Sequence, residues 1–146
     1  MSALSFDHTM PCPLPAHLLY ERLIAALSDT DAAPFWPSHL NRVQIPRMVA
    51  GQSFHATYRA PLGPDTRSPY ILAALTPGEG FVYVPGSGHA FTGEVEVRVL
   101  RREDGSALRW SGEYHAPLWR PERAFFRLYF EPRFFGALGR SLASLT

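Results

Sequence analysis

Lysine is absent from this sequence, cysteine occurs once, and no apolar run approaches the length of a membrane helix. With Cys12 alone, a disulfide within the chain and a thiolate metal cage are both excluded. A membrane span needs about 20 apolar residues in a row. Residues 1 to 10 alternate in character and carry Asp7 and His8, which is not the charged-then-apolar pattern of a signal peptide. A soluble, cytoplasmic protein is therefore expected. All 14 basic side chains are arginine and are scattered, and the adjacent pair Arg101-Arg102 is followed at once by Glu103-Asp104. Without a basic stripe interleaved with aromatics, nucleic acid is not the expected partner.

Metal and cofactor signals are missing as well. No two histidines stand at HxH or HxxxH spacing, so no metal is expected. Gly78-Glu79-Gly80 and Gly86-Ser87-Gly88 read as turns rather than nucleotide loops, because no helix follows either. No serine sits in a nucleophile elbow. No cofactor is expected.

Aromatic residues and proline are what the chain has in quantity: 10 Phe, 6 Tyr, 3 Trp and 14 Pro in 146 residues. That length suits one domain, 1–146, able to bury its own core without staples. The pairing suggests a bulky core built from many sharply ended elements rather than a helical bundle.

The first such element is a strand, with Leu4, Phe6, His8 and Met10 on one face at period two, ended by the prolines at 11, 13 and 15. Leu19, Leu23 and Leu27, flanked by Tyr20 and Ile24, then predict an amphipathic helix that starts near Pro15. Thr30 or Asp31 can cap a short second helix that Pro37 ends, with Trp36 anchoring it to the core.

From Val43 the period is two. Val43 and Ile45 mark one strand, and Phe54, Ala56 and Tyr58 mark the next, alternating with polar neighbours. A loop over 61–69 leads to a strand from Tyr70 to Leu75, and after a turn Phe81 to Val84 forms another. Phe91, Gly93, Val95, Val97 and Val99 share one face of a strand whose other face is Thr92, Glu94, Glu96 and Arg98. Asp104-Gly105 turns a hairpin, and Leu108, Trp110, Gly112 and Tyr114 return on the same apolar side.

From about Pro121 the spacing is helical again. Phe126, Phe130 and Phe134 are four apart, and Leu128, Phe135 and Leu142 are seven apart. Pro132 removes a backbone hydrogen bond and predicts a kink or break.

The fold class is α+β: a bent antiparallel sheet of six to seven strands around a long C-terminal helix, with two short helices after the first strand. One helix cannot cover so many twisted strands, which leaves space between them. Gly93 and Gly112 on the apolar face permit close approach or bending.

These features resemble the START-like, birch-pollen-allergen-like superfamily SRPBCC, in particular its polyketide cyclase/dehydrase-like branch. The resemblance rests on Pro13-Leu14-Pro15-Ala16 before a helix bearing Tyr20, Phe35-Trp36-Pro37 followed by Val43, and Ala50-Gly51-Gln52-Ser53-Phe54. Leu75-Thr76-Pro77-Gly78 ahead of Phe81-Val82-Tyr83, Leu108-Arg109-Trp110 and the aromatic C-terminal helix complete it. It spans nearly the whole chain and implies the helix-grip fold with an apolar cavity. It does not imply a reaction, because the superfamily hosts carriers, receptors, cyclases and co-chaperone modules.

The expected cavity lining is Phe54, Tyr58, Phe81, Tyr83, Phe91, Trp110, Tyr114, Phe126 and Phe130. The competing reading is a dry, filled core. Tyr58, Tyr83, Tyr114 and Trp110 favour a ligand site, since each has a polar tip that needs a partner when buried. The expected partner is a small apolar molecule, aromatic, lipid-like or polyketide-like, held by a carrier or binding protein that is a monomer or homodimer. Burying about 300 Å² of apolar ligand surface is worth about 7 kcal/mol at ~25 cal/mol per Å². Immobilisation offsets much of that, giving weak-to-micromolar binding.

The alternative is a cyclase, dehydratase or hydrolase acting on such a ligand, with Tyr58, Tyr114 or His8 moving protons. Of the histidines able to serve as acid or base, His8 can point inward or be a hydrogen-bonded core residue. His55 and His115 fall on polar faces, and His89 lies in a turn at the cavity rim. Arg59, Arg98 and Arg109 read as solvated charge. A third reading, a protein-interaction module, requires an exposed apolar patch on the outer sheet face, which instead reads as polar.

Overall fold

In the computed structural model, which describes residues 2–146, seven antiparallel strands form one sheet in the order β1-β7-β6-β5-β4-β3-β2. The strands are β1 (Ser2–Cys12), β2 (Asn41–Gln44), β3 (Ser53–Tyr58), β4 (Thr66–Thr76), β5 (Gly80–Pro85), β6 (Thr92–Arg102) and β7 (Gly105–Ala116). Met1, the first residue of the expected domain, lies outside the described residues. From β2 to β7 the sheet is a meander, and β1 closes beside β7 along its full length, Ser2 opposite Ala116 and Cys12 opposite Ser106. Helix α1 (Ala16–Ser28) follows β1 and buries Leu19, Leu23, Ala26 and Leu27.

Three local expectations need correction. Pro11 does not end β1, which continues to Cys12. β1 is an edge strand, and a proline is tolerated where no neighbour needs its missing N–H. The short second helix is a 3-10 turn, Thr30–Ala32, capped by neither Thr30 nor Asp31: the Asp29 carboxylate accepts the Asp31 N–H. Thr30 is buried and its hydroxyl accepts the Val43 N–H at 2.9 Å, tying this turn to β2. The loop expected over 61–69 stops short, because β4 begins at Thr66. Pro69 is accommodated at the point where β5 ends, its carbonyl accepting the Gly86 N–H.

The predicted break at Pro132 takes a specific form. Helix α2 (Pro121–Ala124) runs into a π turn, Phe125–Phe130, where the Glu131 N–H bonds the Phe126 carbonyl five residues back. Helix α3 (Glu131–Ala143) then begins with Pro132 in its first turn. Pro132 has no hydrogen to give Leu128, and the wider turn absorbs the lost bond. The widening also rotates Leu128 outward, to 75% exposure, while Phe126, Phe130, Phe134, Phe135, Leu138 and Leu142 stay buried. Leu128 therefore drops out of the apolar stripe expected with Phe135 and Leu142.

Gly93 and Gly112 do allow close approach. Gly93 has φ +133°, and a Cβ there would meet the Glu113 carbonyl oxygen at 2.0 Å. At Gly112 a Cβ would meet the Glu94 carbonyl oxygen at 2.7 Å and the Phe6 ring at 2.9 Å. The sheet curls with its apolar side toward the C-terminal helix, and α3 runs against β1.

Candidate functional site

Between the concave sheet and the C-terminal helix lies a cavity of about 470 Å³. All nine residues expected from the sequence border it: Phe54 and Tyr58 from β3, Phe81 and Tyr83 from β5, Phe91 before β6, Trp110 and Tyr114 from β7, and Phe126 and Phe130 from the π turn. Period-two alternation puts the strand residues on one side, and four-residue spacing aims the phenylalanines back at them. Trp36, Val43, Ile45 and Ala56 extend the apolar wall.

Tyr70 is the main residue absent from the sequence expectation. It stands opposite Phe54 in the β3–β4 register and stacks on it at 5.6 Å between ring centres. Tyr70 and Leu72 share the buried face of β4, and the pairing with Phe54 follows from a strand that begins at Thr66.

The polar tips gather inside this apolar wall. The hydroxyls of Tyr58 and Tyr70 are hydrogen-bonded at 2.5 Å, and the Trp110 indole N–H donates to the Tyr83 hydroxyl at 3.0 Å. Tyr58 and Tyr83 are half-buried and border the void. Burial raises the pKa of all four phenols, Tyr58 to about 12, and for Tyr70, Tyr83 and Tyr114 mutual repulsion of their phenolates adds to it. They are neutral hydrogen-bond donors at physiological pH.

His89 is the one histidine on the cavity wall. Its Nδ1 accepts the Phe91 N–H at 2.9 Å, which places the ring hydrogen on Nε2, and Nε2 is buried without a partner. Burial lowers its pKa to about 4, so it is neutral too.

The other candidates lie elsewhere. His8 is not on the cavity wall. Its Nε2 meets Glu131 Oε2 at 2.7 Å, its ring stacks on Phe135, and Arg127 Nη1 binds the other Glu131 oxygen at 2.6 Å. His55 is exposed, and His115 sits 3.1 Å from Glu113. Arg98 and Arg109 are exposed and pair with Glu96 and Asp7. Arg59 departs from the solvated reading, because its Nε is buried and unpaired. Among the described residues, no three His, Cys, Asp or Glu side chains gather as a metal site.

The cavity is also bordered by exposed or half-buried residues: Ala60, Gly88 and Ala90 from loops, Thr66, Arg67 and Ser68 from the start of β4, and Pro121 and Glu122 from the start of α2. These residues form its mouth. Leu62, Leu118 and Trp119, each more than 70% exposed, stand on the loops beside it.

No protein-family model matches the chain, and no curated protein matches it in sequence. Solved structures match it throughout. The crystal structure of Ara h 8.0201 superposes with a TM-score of 0.65 at 14% identity, covering 97% of this chain and 98% of that one. A Staphylococcus aureus protein of unknown function gives 0.66 at 13% identity, over 97% and 94%. The di-domain ARO/CYC StfQ of the steffimycin biosynthetic pathway gives 0.67 at 14%, over 97% of this chain and 50% of that one. The chain has the helix-grip fold, as the resemblance to SRPBCC implied; identities this low speak for the fold alone.

Proposed function

We propose that the chain, as one cytoplasmic domain over 1–146, binds a small apolar molecule in this cavity as a carrier or binding protein. The observation that carries the reading is the void itself: about 470 Å³, walled by aromatic side chains and open at one end. Concave apolar pockets with a few convergent polar groups are the usual form of a small-molecule site. Fold neighbours that include Ara h 8.0201 and the di-domain ARO/CYC StfQ are compatible with this.

Catalysis on the same ligand is less well supported. His8 is held by Glu131 away from the void, and His89 and the four phenols are kept neutral by burial. A general base poised near neutral pH is what such an enzyme needs. The interaction-module reading lacks its surface, because the most exposed large apolar residues stand on loops and on the π turn rather than on the outer sheet face.

Native mass spectrometry of gently purified protein, with a Nile red titration, tests the binding reading. A co-purifying small molecule or saturable one-to-one probe uptake is expected. Neither signal appearing would overturn it.

A further inference from the structure

We infer that the cavity selects an uncharged ligand carrying a hydrogen-bond acceptor, such as a ketone, quinone or ester oxygen on an apolar body, and rejects the matching carboxylate. This rests on the binding reading above and specifies its ligand.

Trp110 can only donate, so Tyr83 must accept from it and still has its own hydrogen to place. The four phenols hold four hydrogens, while the one hydrogen bond among them, Tyr58 with Tyr70, takes up one. Among the described residues, no protein carbonyl or carboxylate accepts from any of the four. Even with Asn41 Oδ1, the unpartnered acceptor on the wall, taking a second, at least one hydroxyl hydrogen is left for something in the void, and Tyr58 and Tyr83 are the two half-buried phenols that border it. His89 adds a second unused donor on the wall, its Nε2–H. A buried donor left unpaired is costly, and a ligand oxygen removes that cost.

Nothing on the wall favours an anion. The charged lining residues are Arg67 and Glu122, both at the mouth and opposite in sign. Neutral phenols and a neutral imidazole can share a hydrogen with a carboxylate but cannot offset its lost hydration.

Three naphthalenes of nearly equal shape separate the possibilities by isothermal titration at mildly alkaline pH: 2-acetylnaphthalene, 2-ethylnaphthalene and 2-naphthoate. The ketone is expected to bind at least about tenfold tighter than the carboxylate and about threefold or more tighter than the ethyl compound. Tyr58→Phe with Tyr83→Phe should bring the ketone-to-ethyl ratio toward one. If that double variant does not fold, Tyr58→Phe alone should lower the ratio in the same direction. Naphthoate binding as tightly as the ketone, or the ethyl compound doing so, would overturn the selectivity while leaving ligand binding intact. No binding by any of the three would overturn both.

Discussion

The hydroxyls of Tyr58 and Tyr70 meet at 2.5 Å inside the cavity wall, linking neighbouring strands β3 and β4 by side chains as well as by the backbone ladder. Each single change to phenylalanine leaves the other hydroxyl without its partner. Each should lower stability by about 1 kcal/mol, read as a shift in the urea midpoint. The double variant should lose less than the sum, because removing both members leaves nothing unpaired. Strict additivity in this double-mutant cycle would show that the two hydroxyls do not interact.

His89 makes stability depend on pH. Burial lowers its folded pKa to about 4 from an ordinary 6.5, so between these values the unfolded chain binds the extra proton and the folded chain does not. Stability is therefore fully present above about pH 6.5 and falls as pH drops toward 4. His89→Gln should flatten that part of the stability profile relative to wild type. An unchanged slope would mean that His89 protonates freely in the folded chain.

Glu131 is buried and shared by His8 and Arg127. Glu131→Ala strips both partners and should cost roughly 1–3 kcal/mol, measured by thermal or urea unfolding. His8→Ala should leave Nile red affinity within about twofold of wild type, since polar partners outside a pocket contribute little to binding in it. A large loss of affinity in His8→Ala would place that ring in the ligand's path.

Much of this arrangement is legible in the sequence because two periods do most of the positioning. Alternation along Phe91–Val99 and Leu108–Tyr114 identifies the buried face without any tertiary information, and four-residue spacing identifies Phe126, Phe130 and Phe134. Where one period is locally altered, the reading fails. Leu128 counts as an inward residue only if the helix stays α, and Pro132 makes it a π turn. Residues 66–69 look like a loop because Pro69 argues against a strand, yet the sheet tolerates it where β5 runs out. His8 has the right strand face but its partner, Glu131, lies 123 residues away. No local pattern encodes that pairing, nor the convergence of Tyr70 with three tyrosines from other strands.

The void itself is tested most directly by filling it. Ala56 lies in β3 with its side chain on the cavity wall and is 3% exposed. Nile red titrations of wild type and Ala56→Phe should show saturable one-to-one uptake by wild type and a loss of at least about tenfold in the variant, at a stability cost of about 1–3 kcal/mol. Equal uptake by the two proteins, with the variant folded, would contradict an internal binding site.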